Sequence, residues 1–377
     1  MLKRFQVSNF KQFNSLEWNF SKVRSYDFSR GCLTETSAGN FVKTALVFGR
    51  NSSGKSNLGL AVFDILQHLS GKAAKKGAYT YYANADHPNE AVKFSYTFLL
   101  DGKEVVYSYS KMSCLELSAE SLLIDGNEVF SWNKEENIHK FDNLPSFGFE
   151  SPNFVHKDSQ LSFLSYLADS PLLQPSSTIR RLVDFVRSMR CFSPDKGSGL
   201  GGLSPVKKNF ESFIIRNGLL EKFENFLNEH GVKERLKVAT TLEGREGLYV
   251  DHEQALPFLA VASSGTLSLT SLFYWREFLK ANEPSLIYID DFDAFYDNEV
   301  AKQVFGIAKT LDIQCILTTH NTNLLTHANT RADCCFLLRE NNIRPFSDLT
   351  TREIRQGNNL EKLFLSHEFE NLSLIHI

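Results

Sequence analysis

Ala45-Leu46-Val47-Phe48-Gly49-Arg50-Asn51-Ser52-Ser53-Gly54-Lys55-Ser56 is the stretch on which the fold of this chain turns. Its first four residues form a short, continuous apolar run, as expected of a strand buried on both faces. The next eight follow the pattern Gly-x-x-x-x-Gly-Lys-Ser. Glycines there let the backbone wrap a phosphate chain, so that amide N–H groups face the anion from the start of a helix. Gly49, Asn51, Ser53, Gly54, Lys55 and Ser56 are therefore the candidate nucleotide-binding residues. Lys55 would reach the β- and γ-phosphates, and the Ser56 hydroxyl would ligate Mg2+. Leu58, Val62, Ile65, Leu66 and Leu69 then recur at helical spacing and predict one amphipathic helix directly after the loop. Strand, loop and helix in this order point to ATP with Mg2+ as the ligand.

On either side the period of the sequence changes. Lys3 to Phe10 reads as extended. From Val92 to Trp132 the alternation is two, with Phe94, Tyr96 and Phe98 on one pass and Val105, Tyr107 and Tyr109 on the return. Tight turns are expected at Asp101-Gly102 and Asp125-Gly126. This predicts an antiparallel sheet inserted after the first helix. Residues 155–232 read as mainly helical, broken by a loop over Ser193–Pro205 whose Gly-Ser-Gly-Leu-Gly-Gly run lacks the Lys-Ser/Thr pair of a second nucleotide loop. A helix over Thr266–Lys280, a strand over Leu286–Ile289, a helix over Asn298–Leu311 and a strand over Cys315–Thr318 predict a parallel sheet covered by helices. The expected division is an N-terminal lobe over 1–154, a helical insertion over 155–235 and a C-terminal lobe over 236–377.

Composition narrows the class. The 377 residues are 42% hydrophobic and 23% charged, with a formal net charge of −3, so the whole molecule exerts no general attraction on nucleic acid or an anionic membrane. The six cysteines (Cys32, Cys114, Cys191, Cys315, Cys334 and Cys335) show no zinc-ligand spacing, and those in apolar runs read as buried thiols. The start, Met-Leu-Lys-Arg-Phe-Gln-Val-Ser, lacks a signal-peptide core, and no stretch is long and apolar enough to cross a bilayer, so a cytoplasmic protein without membrane contact is expected.

Three further motifs carry chemistry. Leu286-Ile287-Tyr288-Ile289-Asp290-Asp291 is an apolar strand ending in an acidic pair. Beside a phosphate loop, Asp290 would hold Mg2+, directly or through water, and Asp291 would orient or deprotonate the attacking water. Thr318-Thr319-His320 ends the next strand and would set His320 near the γ-phosphate. Lys55, Asp291 and His320 are thus the candidate catalytic residues, and Ser56 and Asp290 the candidate metal ligands. Ala262-Ser263-Ser264-Gly265-Thr266 opens a helix, where Ser263, Ser264 and Gly265 could form another anion site, or Ser263 could serve as a plain N-cap.

Together these motifs resemble the ABC-type ATPase heads of the SMC, RecF and OLD group. The resemblance rests on the loop at Gly49–Ser56, the signature at Ser263–Thr266, the Walker B strand ending at Asp290–Asp291 and the switch histidine His320. Leu2–Lys11 is similar to the first strand of such heads. Thr319–Leu325, Arg331-Ala332-Asp333 and Asn359–Leu365 resemble one branch, the AAA-type, abortive-infection-like ATP-binding proteins of bacterial anti-phage systems. Only 133–152 and 191–208 fall outside the likeness. It implies an α/β, SMC-head-like fold with a mixed parallel sheet, an antiparallel β lobe and an inserted helical region. It also implies a homodimer or higher homo-oligomer in which two heads sandwich two ATP molecules. Ser263 and the Gly265 amide would then meet a γ-phosphate bound to another copy, with Asp297 a further interface candidate and Gln160 a candidate for the family's glutamine. Such heads usually end the strand in Asp-Glu. Asp291 is shorter by one C–C bond, and a misplacement of about 1 Å can cost on the order of a hundredfold in rate. Slow hydrolysis is expected, with ATP serving partly as a clamp.

Three functions follow as expectations. One is a sensor or scaffold subunit of an anti-phage system, answering a phage-derived trigger and controlling a separate effector (a nuclease or toxin), since no nuclease constellation is visible in the sequence. Another is a RecF-like repair or recombination ATPase that binds duplex DNA through Arg180, Arg181, Arg187 and Arg190, read as lying along one helix, and through Lys72, Lys75 and Lys76 near Tyr79, Tyr81 and Tyr82. A transporter ATPase subunit fits least, and no long heptad stretch points to a cohesive arm.

Overall fold

Two large sheets share the chain, and the division follows the period of the sequence. The computed structural model describes residues 1–70, 80–147, 161–171, 173–192, 206–240, 244, 246–294 and 298–369. The chain opens with β1 (Leu2–Phe10) and β2 (Phe13–Asn19), then β3 (Leu33–Thr36), β4 (Gly39–Val42) and β5 (Thr44–Phe48). Helices α1 (Lys55–Val62) and α2 (Asp64–Ser70) follow the glycine loop. A meander of β6 (Val92–Leu100), β7 (Lys103–Lys111), β8 (Leu117–Ile124), β9 (Asn127–Asn133) and β10 (Ile138–Lys140) comes next. The middle of the chain holds α3 (Phe163–Asp169), α4 (Thr178–Ser188), β11 (Arg190–Phe192), α5 (Val206–Arg216) and α6 (Leu220–Glu229). The small sheet of β12 (Leu236–Thr240), β13 (Glu246–Val250) and β14 (Leu256–Pro257) precedes α7 (Phe258–Val261) and α8 (Ser264–Asn282). The chain ends with β15 (Leu286–Ile289), α9 (Asn298–Thr310), β16 (Gln314–Thr319), β17 (Cys335–Arg339), β18 (Asn342–Pro345) and α10 (Leu360–Leu365).

The architecture is α/β. The second large sheet runs in the order β11-β15-β16-β5-β17-β18, parallel except for its last pair. Every residue of β5, β15 and β16 is buried, which is why Ala45–Phe48, Leu286–Ile289 and Cys315–Leu317 read as apolar runs. The other sheet is antiparallel throughout, in the order β10-β9-β8-β7-β6-β1-β2. Its inner face is aromatic: Phe5, Phe94, Tyr96, Phe98, Tyr107 and Tyr109 are buried, while the residues between them lie on the other face, as period two requires, and all but Thr97 are at least partly exposed. The turns at Asp101-Gly102 and Asp125-Gly126 have positive φ at both residues (49° and 81°, 50° and 78°). That is the hairpin geometry which favours Asp-Gly.

Several local expectations change. The antiparallel sheet is not a separate insert, because β6 pairs with β1 and the chain start supplies two of its seven strands. The single helix expected over 58–69 is two. Asp64, fully buried, accepts hydrogen bonds from Tyr82 Oη (2.9 Å), Tyr109 Oη (2.9 Å) and Lys111 Nζ (2.7 Å), and a tighter Leu66 N–H to Phe63 carbonyl bond marks the break beside it. Arg190 is not on the helix with Arg180, Arg181 and Arg187: α4 ends at Ser188 and Arg190 opens β11, a strand unseen in the sequence that pairs with the acidic-pair strand β15. Five cysteines are buried and all six are free thiols. Lys72, Lys75, Lys76, Tyr79, Gln160, Asp297 and the Ser193–Pro205 loop lie outside the described residues.

Candidate nucleotide-binding site

Parallel strands deliver their following loops to one edge, and here three adjacent strands do so. β5 leads into Gly49, β15 into Asp290 and β16 into His320, with Ile289 level with Leu317 and Thr319 level with Phe48. A cleft of about 310 Å³ opens at that edge, lined by Gln12, Asn51, Ser52, Gly54, Lys55, Ser56, Asn57, Asp291 and His320.

The loop is held open by glycines in two ways. Gly54 sits at φ 101°, and a Cβ there would collide with the Gln12 amide. Gly59, one turn into α1, lets the helix rest directly on the Tyr288 ring of β15. Tyr288 Oη donates to the Lys55 carbonyl at 2.6 Å, tying the first turn of α1 to the strand that carries the acidic pair.

Most of the charged groups are engaged with one another or with neighbouring hydroxyls and carbonyls. Lys55 is buried; its ammonium donates to the Gly49 carbonyl at 3.1 Å and lies 2.6 Å from His320 Nε2. An ammonium only donates, so Nε2 of His320 is the acceptor and the ring is neutral. Burial, then the Lys55 charge, push the His320 pKa below its usual value, and burial also lowers that of Lys55. Asp291 Oδ1 lies 3.8 Å from both Lys55 Nζ and His320 Nε2. Ser56 Oγ donates to Asp290 Oδ2 at 2.5 Å and Thr318 Oγ1 to Asp290 Oδ1 at 2.9 Å. Burial raises the Asp290 pKa, while these two hydroxyls oppose the rise.

The donor set suits a magnesium nucleotide. Ser53 Oγ and Asp291 Oδ1 are buried atoms with no hydrogen-bond partner. Such atoms are costly unless a ligand or water meets them. Ser56 Oγ and Asp290 Oδ2 are somewhat closer than the roughly 2.9 Å between neighbouring ligands of an octahedral ion with bonds of about 2.0–2.1 Å. A small separation, or a water between Asp290 and the ion, accommodates it. Among the described residues no cluster of three or more His, Cys, Asp or Glu could hold a metal without such help.

Ser263 and Gly265 are exposed, and neither lines the cleft. Ser263 caps α8, its Oγ accepting from Thr266 N–H at 3.1 Å. Arg181 and Arg187 face Asp101 (3.2 Å) and Asp169 (2.9 Å), and Arg190 donates to the Arg187 and Met189 carbonyls.

Sequence reading gave no role to Gln12, Asn57, Asp293, Thr318 or Thr319, all at or beside the cleft. Gln12, in the β1–β2 turn, donates to the Ser53 carbonyl (2.8 Å) and accepts from Asn57 Nδ2 (2.6 Å). Thr318 accepts from the Asp291 amide (2.7 Å) while donating to Asp290, so one hydroxyl orients both acidic residues. Asp293 accepts from Thr319 Oγ1 at 2.6 Å, and burial raises its pKa. Thr318 and Thr319 stood in the sequence beside His320, but hydroxyls at a strand end carry no signal without a known neighbour.

No protein-family model matches the chain, and no curated protein matches it. Among solved structures it is similar to an Smc head bound to the C-terminal winged-helix domain of ScpA, with 18% identity, TM-score 0.46 and coverage of 91% of this chain and 96% of that one. It is also similar to the SMC head domain of Thermotoga maritima (13% identity, TM-score 0.41, 91% and 98% covered). A third is an Smc head with an extended coiled coil, bound to the C-terminal domain of ScpA derived from Pyrococcus furiosus (14% identity, TM-score 0.38, 91% and 95% covered).

Proposed function

We propose that the chain is a slowly hydrolysing ATPase head that binds Mg2+ and ATP in the Gly49–Ser56 cleft and closes into a dimer around them. The convergence of Lys55, Ser56, Asp290, Asp291 and His320 on one polar cleft carries this reading. When bound, Mg2+ would neutralise phosphate charge, held by Ser56 and by Asp290 directly or through water. Lys55 would leave His320 for the β- and γ-phosphates, freeing the Nε2 acceptor to take a hydrogen bond from the attacking water. Asp291 would orient that water and accept its proton. The exposed start of α8 suits a γ-phosphate held by a second copy, which gives Ser263 and Gly265 a use beyond capping.

The wider role we propose is that of a sensor or scaffold subunit in a bacterial anti-phage system whose toxic step belongs to a separate effector. Support comes from the C-terminal stretches that resemble that branch, two of which meet: Thr322 Oγ1 donates to Glu361 Oε1 at 2.8 Å. The RecF-like, DNA-binding alternative rests on Arg180, Arg181, Arg187 and Arg190, of which Arg181 and Arg187 are in exposed ion pairs and Arg190 donates to carbonyls, and on lysines outside the described residues.

Sedimentation with and without ATP tests the dimer. The parent is expected to pair with ATP and Ser263→Arg to stay monomeric; a variant that pairs equally well rules out the trans contact. Plating of phage on cells carrying the gene and its neighbours, with Lys55→Ala as control, tests the defence role, and equal plaque counts would count against it.

A further inference from the structure

Asp291, which lines the cleft, has a left-handed backbone with φ 43°. Aspartate is among the few residues besides glycine that visit this region, and it does so as a single residue. Along a strand, successive side chains point to opposite faces. The left-handed turn ends that alternation straight after Asp290. Asp290 meets Ser56 Oγ at 2.5 Å, and Asp291 Oδ1 comes to lie 3.8 Å from both Lys55 Nζ and His320 Nε2. A backbone in a sparsely populated region persists only where its surroundings hold it.

The end of β16 supplies that hold. The Asp291 amide donates to Thr318 Oγ1 (2.7 Å) and the Phe292 amide to the Thr318 carbonyl (3.1 Å), while the Ala294 amide closes the turn on the Asp291 carbonyl (3.1 Å). Asp293 reaches back across the gap. Its carboxylate accepts from Thr319 Oγ1 (2.6 Å), and that oxygen in turn accepts from the Asn321 amide (2.8 Å). The Asn321 side chain hydrogen-bonds to Asp293 as well. Asp293 thus holds the residues on both sides of His320 without itself lining the cleft. Lys55, Ser56 and Asp290 have holders of their own in the Gly49 carbonyl, Tyr288 and Thr318.

We propose that Asp293 is a positioning residue for ATP hydrolysis: through Thr319 and Asn321 it fixes His320 against the turn of Asp291, so that imidazole and carboxylate meet one water together. This rests on the nucleotide reading of the cleft, with Asp291 as the base, and adds how the pair is kept in register. The task needs an acceptor oxygen and no charge, because the groups Asp293 holds are a hydroxyl and an amide.

ATP binding and steady-state turnover of the full chain with Mg2+ test it. Asp293→Ala should lower kcat by roughly 10- to 100-fold, the loss expected of a misplacement approaching 1 Å, and leave ATP affinity and KM as in the parent. Asp293→Asn keeps an acceptor for Thr319 and should retain most of the parent's turnover. Thr319→Val, similar in shape but without the hydroxyl, should match Asp293→Ala, and the double variant should be no slower than either, since the two residues act as one unit. Should Asp293→Ala fail to fold, the same split between kcat and KM is read from Thr319→Val. The proposal is overturned if Asp293→Ala turns over as fast as the parent, or if it loses affinity as much as rate, which marks a site loosened as a whole. An asparagine variant as slow as the alanine one overturns it too, because charge is then what counts. A parent that binds no ATP, or binds it without releasing phosphate, overturns the hydrolytic reading of the cleft itself, and the proposal with it.

Discussion

Gly59 offers a sharp test of how the site is built. It lies in α1 one turn after Lys55, against the Tyr288 ring. A Cβ at this position would stand 2.7 Å from Tyr288 Cε1 and 3.1 Å from Cδ1 and Cζ, where ordinary carbon contact is about 3.5–4.0 Å. The ring has little room to retreat. It is fully buried, bonded to the Lys55 carbonyl at 2.6 Å and packed edge-on against Phe63 with centroids 6.3 Å apart. Gly59→Ala sets opposed effects against each other. Replacing a mid-helix glycine favours folding by about 1 kcal/mol. Overpacking costs about 1–3 kcal/mol, and displacing the tyrosine hydroxyl about 0.5–1.5 kcal/mol more. The net expectation is a loss of about 2 kcal/mol, readable in denaturant or thermal unfolding. Because α1 starts at Lys55 and Ser56, the same push moves both away from Asp290 and His320. ATP turnover should fall by up to about a hundredfold for a shift near 1 Å. In a Tyr288→Leu background, which clears the ring, the alanine should cost less, with a coupling of about 0.5–3 kcal/mol. A Gly59→Ala protein as stable as the parent, or more stable by the helix-propensity gain alone, would refute the clamp between α1 and β15.

Two other outcomes bear on the acidic pair. Phosphate release should nearly vanish in Asp291→Asn and quicken in Asp291→Glu, and an unchanged rate in Asp291→Asn removes that residue as the base. Asp290, its folded pKa raised by burial above the usual 3.8, favours folding below pH 3.8 and loses that contribution as pH rises through the window up to its folded value. Asp290→Asn without nucleotide should therefore melt above the parent at pH 7, with the gap closing toward pH 4. Mg2+ and ATP should stabilise the parent and leave the variant nearly unmoved; a ligand-free parent that melts higher at pH 7 contradicts the burial argument.

What could be read in the sequence was what neighbouring residues decide. The β5 run, the glycine loop and the Asp-Gly hairpins are local patterns, and parallel-sheet logic then brings the loops after β5, β15 and β16 to one edge. What could not be read depends on distant partners. The break at Phe63 accompanies Asp64, whose cation Lys111 lies 47 residues on. β11 is three residues long and has no period of its own. Cys334 and Cys335 read as buried, yet nothing local says that β17 pairs with β5. Arg331, 1% exposed, pairs with Asp333 and donates to the Arg24, Tyr26 and Phe28 carbonyls, fastening a segment some 300 residues away. Gln12 reaches the cleft from the turn between β1 and β2, which no Gly, Pro, Asn or Asp marks in the sequence.

Apart from Ser53 Oγ and Asp291 Oδ1, the main polar groups of the cleft have partners already, and this shapes how a nucleotide would bind. Lys55 is taken up by His320 and Gly49, Ser56 by Asp290, and Thr318 by both acidic residues. Nucleotide binding is then an exchange of partners, and its net gain is the difference between the bonds broken and those formed. The groups that burial disfavours in their charged form, Lys55, Asp290 and Asp293, are those a magnesium nucleotide would stabilise most. A substitution at Thr318, which holds both carboxylates and does not itself line the cleft, should on this account change nucleotide affinity without removing any group that meets the phosphates.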